Sequence, residues 1–224
     1  MFLSLNNQQI LEIVVTGTAL GVVLILVEYL KRHHQLENEG ARKAIHITAG
    51  VILALLPLFM TRRQVAYTNF AFFIGVVLLA GVWHVFSAVH SVRRWTIGEF
   101  LYPLGTGLVA FLFIDLRVYS AAVLVLAFSD GLAGLIGRTF GGEGYKIVGG
   151  TKTILGNAVF FATAFLIFTG VWWLNAPLDE GILSVLPILV FGSLLTTITE
   201  AALAGGFDNL AVPLMAAWVA NLLV

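Results

Sequence analysis

Apolar residues run through this chain in long blocks, broken at intervals by short clusters of glycine, proline and charged residues. Blocks without strict alternation, and much longer than a strand, point to helices. A helix rising 1.5 Å per residue needs about 20 apolar residues to cross roughly 30 Å of hydrocarbon. Eight blocks approach that length: 10–30, 44–60, 65–90, 99–114, 118–137, 154–174, 182–198 and 209–224. Several are short or carry an ionisable group at Glu99, Asp130 or Glu200, so seven is the lower count. The pattern predicts an all-α, polytopic membrane protein of about eight transmembrane helices. Met1–Gln9 holds no Lys or Arg and the first apolar block is too long for a cleavable signal, so that block is expected to stay as a helix. No linker, low-complexity tract or internal repeat divides the sequence, and residues 1–224 read as a single integral membrane domain.

Composition agrees with this and narrows the chemistry. Hydrophobic residues make up 59% and charged residues 11% of the chain, where a soluble domain carries about 25% charged. Twelve basic and twelve acidic side chains cancel, which removes any general attraction to nucleic acid. With no cysteine, disulfides, thiolate zinc sites and cysteine nucleophiles are excluded. The basic residues are unevenly placed. Lys31, Arg32, Arg42, Lys43, Arg93, Arg94, Arg138, Lys146 and Lys152 fall in one alternating set of loops, and Arg62, Arg63 and Arg117 in the other. By the positive-inside rule the first set faces the cytoplasm, and both termini are expected on the opposite side.

The unusual polar residues, Arg42, Lys43, His46, Glu99, Asp130, Arg138, Lys152, Glu200 and Asp208, all lie at the ends of spans on that same side. A transporter with a midplane site would be expected to scatter such groups nearer the bilayer centre and to carry repeat symmetry. One-sided clustering favours an enzyme with a water-soluble cosubstrate.

Asp130 is the most informative of them, since an ionised carboxylate in an apolar segment costs several kcal/mol unless it is paired or binds a metal. Gly134 and Arg138 follow it at i+4 and i+8, nearly on one helical face, and Gly131, Ala133 and Gly137 keep the neighbouring positions small. A helix-packing face with an Asp130–Arg138 ion pair competes with a metal or phosphate site as the explanation. The next loop holds Gly141, Gly142, Gly149 and Gly150, then Thr151, Lys152 and Thr153 before a span. Glycines free backbone amides for phosphate oxygens, Lys152 adds a point charge, and Thr151 or Thr153 can cap a helix whose N-terminus favours anions. The Walker spacing is missing, and a flexible glycine-rich connector would have a similar composition. Glu200, Asp208 and Asn209 form a third group. Asp208 is suited to an N-cap, but with Asp130 these carboxylates offer the hard oxygen ligands that Mg²⁺ takes beside substrate phosphates. Arg42 and Lys43 suit membrane anchoring as well as phosphate binding, whereas His46 already lies inside an apolar run. Lys31 to His34 reads as a headgroup-facing anchor, and His84 and His90, compatible with satisfied core groups, are assigned no role. Glu99, by itself, is an ordinary interfacial carboxylate.

In this order the segments resemble the CTP-dependent lipid-alcohol kinases: dolichol kinase, phytol kinase and the yeast-type diacylglycerol kinase. The matching pieces are Arg42-Lys43 with His46, Gly98-Glu99 with Tyr102-Pro103, Ser129-Asp130 through Gly137-Arg138 to Gly141, Lys152-Thr153 with Gly156, and Glu200 with Asp208-Asn209 and Pro213. They span residues 40–213. Phosphatidate cytidylyltransferases are similar more loosely, through an intramembrane Asp before a G-R-x-x-G-like stretch and a K-T-x-x-G segment. Two departures stand out. Leu155 and Asn157 occupy positions where many members carry Glu and Ser, and Ala201 to Phe207 is small and apolar where the family is usually polar.

The resemblance implies transfer of the terminal phosphate of CTP to a membrane lipid alcohol at the cytoplasmic face of the bilayer. Its implied cofactor is Mg²⁺, held by Asp130 and Asp208. Lys152, Arg138 and the amides of the glycine loop would bind phosphates, with Arg42, Lys43, His46, Thr151, Thr153 and Asn209 completing the nucleotide site. Glu200 or Glu99 would orient the lipid hydroxyl or act as base. The segment from Gly98 to Pro103 looks most like that of phytol kinases, making an isoprenoid alcohol of the phytol or polyprenol type the expected acceptor. Diacylglycerol kinase, CDP-lipid synthase and, outside enzymes, a small transporter are the alternatives, and a homo-oligomer is compatible with the sequence.

Overall fold

The structure, a computed structural model, describes residues 7–33, 37–83, 97–148, 150–176 and 181–224. Helices dominate: α1 Asn7–Arg32, α2 Asn38–Leu55, α3 Arg62–Trp83, α4 Gly98–Leu112, α5 Leu116–Leu124, α6 Gly131–Phe140, α7 Ile154–Asn175, α8 Ile182–Ala202 and α9 Asp208–Ala220. A π-helical segment, Val125–Asp130, joins α5 to α6, so that Leu116–Phe140 runs as one rod. Among the described residues this makes eight rods, matching the eight apolar blocks. Five of them, Asn7–Arg32, Glu39–Leu58, Leu116–Phe140, Ile154–Asn175 and Ile182–Ala202, are long and apolar enough to cross a membrane, and α4 and α9 are shorter apolar helices. His34, His84, His90, Arg93, Arg94 and Gly149 lie outside the described residues.

The rod Leu116–Phe140 is the spine. Tyr119, Val123, Val125 and Leu126 are buried on it, together with Leu53 of α2, Val109 of α4, Phe160 and Phe168 of α7, Leu189 of α8 and Val212 of α9. Outward positions stay apolar too: Ile25 on α1, Leu166 and Trp173 on α7, and Leu183 and Phe191 on α8 are all exposed. Such a surface suits hydrocarbon better than water. Within the core, three polar side chains form a chain of hydrogen bonds. Thr106 donates to Asn69 Oδ1 (2.6 Å) and Asn69 donates to the Tyr119 hydroxyl (3.0 Å), tying α3, α4 and α5 together.

Between α6 and α7 the chain forms a small antiparallel hairpin, β1 Tyr145–Ile147 and β2 Gly150–Lys152, with Tyr145 opposite Lys152 and Ile147 opposite Gly150. Thr153 then caps α7 by accepting from the Gly156 amide (3.0 Å). Up-and-down threading gathers the N-termini of α2, α7 and α9 and the C-termini of α6 and α8 at one end of the bundle. Arg62, which donates to Phe111 O, and Arg117, which bonds Asp115 and Asn175, sit at the other end.

Candidate active site

A cleft of about 400 Å³ opens at the gathered ends, within the range of small-molecule sites. Its floor is ionic. Asp130, the last residue of the π-helical segment, is buried, and its Oδ2 lies 2.7 Å from Lys43 Nζ and 3.2 Å from His46 Nε2. Lys43, only 3% exposed, also donates to the Asp130 carbonyl at 2.9 Å. His46 Nε2 is 3.0 Å from the Leu126 carbonyl. Both neighbours of this nitrogen are acceptors, so it carries the imidazole proton. The carboxylate is thus held through one oxygen by two residues of α2. Single π-helical turns within α-helices recur at functional sites.

The ion pair needs a glycine opposite it. A methyl group on Gly134 would collide with Lys43 Cε and lie 2.8 Å from Nζ, so the missing side chain leaves the room in which the ammonium sits against Asp130. Gly137 has the same role toward α7, where a Cβ would lie 2.6 Å from Thr153 Oγ1 and 3.0 Å from Gly156 Cα.

Lys152, at the end of β2, reaches from the hairpin to the buried Glu200 of α8 and lies 3.4 Å from Asp208 Oδ2 of α9. Burial alone would push its ammonium down, but the Glu200 and Asp208 carboxylates more than reverse this and hold it above the ordinary lysine value. One carboxylate oxygen each from Asp130, Glu200 and Asp208 lies within 4.8 Å of the other two. Glu200 Oε2 is buried without a hydrogen-bond partner. Three converging hard oxygens and an orphaned carboxylate oxygen fit a divalent cation such as Mg²⁺. Three carboxylates against Lys43 and Lys152 leave one net negative charge on the floor.

Above the floor the walls favour anions. Arg42 makes two bonds to Glu39, at 2.6 and 3.2 Å, and Arg138 approaches the same carboxylate at 3.6 Å. Gly142, Gly144, Gly150 and Thr151 line the side toward the hairpin, and the capped N-terminus of α7 points inward. Gly205 and Gly206, with φ of +71° and +101°, turn the chain between α8 and α9, and Asn209 fastens that turn to α4 by donating to Gly98 O (3.0 Å). The cleft therefore offers a cationic, amide-rich wall over an acidic floor, the pairing that a polyphosphate with its divalent cation requires.

Comparison with known proteins points the same way. Phytol kinase of Synechocystis sp. is 29% identical over 211 residues, covering 91% of this chain and 88% of the relative. The resemblance to the lipid-alcohol kinases holds along nearly the whole chain. No family model and no solved structure matches.

Of the residues that resemblance singles out, Arg42, Lys43, Asp130, Arg138, Gly142, Gly150, Thr151, Lys152, Thr153, Glu200, Asp208 and Asn209 all line the one cleft. Others stand apart. His46 lies behind Asp130 and touches it. Gly141 is pressed against Thr153 and the Gly137 carbonyl. Glu99, in the first turn of α4, is outside the lining set, and Gly149 is outside the described residues. The Asp130–Arg138 ion pair is overturned. Eight residues of helix separate the two by about 12 Å along the axis, and Lys43 and Glu39 take their places as partners. Glu39, Gly144 and Asn157 also line the cleft, though the sequence assigns none of them to the site. The one clue to Glu39 is its i+3 spacing from Arg42 on a helix.

Proposed function

We propose that this chain is a membrane-embedded kinase that transfers the terminal phosphate of CTP to an isoprenoid alcohol of the phytol or polyprenol type. One observation carries the reading: three carboxylates, two lysines and two arginines converge in a single cleft at one end of an apolar bundle that resembles a phytol kinase over nine-tenths of its length. Phosphoryl transfer asks a protein chiefly for positioning and charge neutralisation, and these residues supply both.

Asp130, Glu200 and Asp208 hold Mg²⁺, which neutralises phosphate charge and aligns the transferred group when bound. Lys43 and His46 hold and orient Asp130. Lys152, Arg42 and Arg138 take the phosphates, with amides of the glycine segments and the α7 N-terminus. Glu200, in the lining where Glu99 is not, orients the lipid hydroxyl beside the ion. The charged end faces the cytoplasm, where the nucleotide arrives, and the lipid tail lies along the apolar helices.

Purified protein with Mg²⁺ and CTP labelled at the γ-phosphate, offered phytol, geranylgeraniol, dolichol and diacylglycerol in turn, tests this. Label is expected in an isoprenyl phosphate, with ATP, GTP and UTP poorer donors. Entry of α-label after a lipid phosphate is supplied would instead mark a cytidylyltransferase. Solute accumulation in proteoliposomes without nucleotide turnover would mark a transporter.

A further inference from the structure

Lys152 stands where a cation bound by the three carboxylates would stand. Its ammonium contacts Glu200 and lies 3.4 Å from Asp208 Oδ2, two of the three groups whose oxygens converge within 4.8 Å. The third, Asp130, is already neutralised by Lys43 at 2.7 Å. One ligand position is open even with the lysine in place: Glu200, whose side chain is 5% exposed, keeps Oε2 buried and unpartnered. A lysine ammonium and a divalent cation sharing these oxygens would repel each other at contact distance, so the two exclude one another.

The backbone carrying Lys152 is tied into the hairpin, whereas among the described residues its side chain is held only by the two carboxylates. Strand β2 pairs with β1, bringing Tyr145 opposite Lys152, and Asn157 of α7 donates to the Tyr145 hydroxyl at 2.8 Å. Movement of the ammonium therefore falls to the flexible four-carbon stem. Gly150, Thr151 and Thr153 line the cleft immediately beside it.

We propose that Lys152 is an exchangeable counter-ion: it holds Glu200 and Asp208 together before a divalent cation enters, and on cation binding its ammonium moves up the cleft toward the phosphate-binding wall. Cation entry thereby delivers the lysine to the nucleotide. The phosphate half of this statement rests on the kinase reading, while the exchange itself does not.

The test is Mn²⁺ binding to the purified full chain without nucleotide, followed by the loss of the free-ion paramagnetic resonance signal. Lys152→Met removes the internal competitor and is expected to bind one Mn²⁺ at least tenfold more tightly than the unsubstituted chain. Asp130→Asn is expected to abolish that site. Should Lys152→Met be poorly folded in EDTA, Mn²⁺ is expected to restore its thermal unfolding temperature, with a shift larger than that of the unsubstituted chain. Equal or weaker Mn²⁺ affinity in Lys152→Met, an equal thermal shift in both proteins, or a variant that Mn²⁺ fails to refold overturns the proposal. Transfer of γ-phosphate without any difference in Mn²⁺ affinity would defeat the exchange alone. The difference in affinity without transfer would defeat the kinase reading alone.

Discussion

Gly134→Ala puts the packing of the acidic floor to a quantitative test. The added methyl group overlaps Lys43 Cε and comes within 2.8 Å of Nζ, and the far end of a flexible side chain is what must yield. Yielding means leaving Asp130, whose Oδ2 and carbonyl Lys43 now holds at 2.7 and 2.9 Å. Breaking a buried ion pair costs about 3 kcal/mol or more. Alanine is better than glycine in a helix by about 1 kcal/mol. The net expectation is a loss of about 2 kcal/mol, roughly a thirtyfold shift toward the unfolded state. Equilibrium unfolding in mixed detergent micelles measures it. The decisive control is the same substitution in Lys43→Ala, where the methyl group meets empty space and the helix gain of about 0.5–1 kcal/mol should stand alone. The sign of the effect should thus reverse between the two backgrounds. An equal cost in both would refute the account of Gly134 as the residue that admits Lys43.

Asp130→Asn should lower γ-phosphate transfer by roughly a hundredfold or more, and turnover at the unsubstituted rate would remove Asp130 from the reacting centre. The raised Lys152 ammonium gives a pH signature in EDTA. Its folded value lies above the ordinary 10.5, so its contribution to stability is complete below about 10.5 and is lost as pH climbs through the folded value. Unfolding temperature should show no Lys152-linked change from pH 7 to 9, and the loss at stronger alkalinity should be smaller in Lys152→Met. Thr153→Ala removes the cap on the Gly156 amide and should cost about 1 kcal/mol by the same unfolding assay. Gly206→Ala forces a side chain onto φ +101° with its Cβ against Gly98, and should cost about 1–3 kcal/mol.

Rod number and most rod boundaries were legible because apolar block length is nearly all that determines them. The predicted block 154–174 is the helix Ile154–Asn175, and 118–137 lies within Leu116–Phe140. Prediction ran late at α2, which begins at Asn38 rather than at 44. Its first turns are polar because Glu39, Arg42 and Lys43 face the cleft, and a hydropathy pattern reads such a turn as loop. The π-helical segment and the hairpin were invisible. The first needs only one extra residue per turn, and the second has strands of three residues, too short for alternation to register. For the site, residue types in order were enough to gather most of the lining, but not to pair it. Asp130 needed a partner on physical grounds, yet which cation reached it depended on the crossing of α2 over α6 and on the absence of a side chain at Gly134.

The two departures from the lipid-alcohol kinase pattern also separate once the first turn of α7 is seen. Leu155 and its neighbour Ile154 are exposed, and neither is among the residues that line the cleft. A leucine there removes no ligand from the acidic floor, whose carboxylates come from the Leu116–Phe140 rod, α8 and α9. Position 157 is different, because Asn157 lines the cleft and donates to Tyr145 on the strand opposite Lys152. A serine hydroxyl is shorter than the asparagine amide and would fall short of the Tyr145 hydroxyl unless the hairpin moved inward. The apolar segment from Ala201 to Phe207 is reconciled in a similar way. Ala204, Gly205 and Gly206 line the cleft, and with side chains so small it is their backbone that a nucleotide would meet. On the kinase reading, recognition along that edge would depend on peptide amides and carbonyls, held in place by positive-φ glycines and by the bond from Asn209 to Gly98.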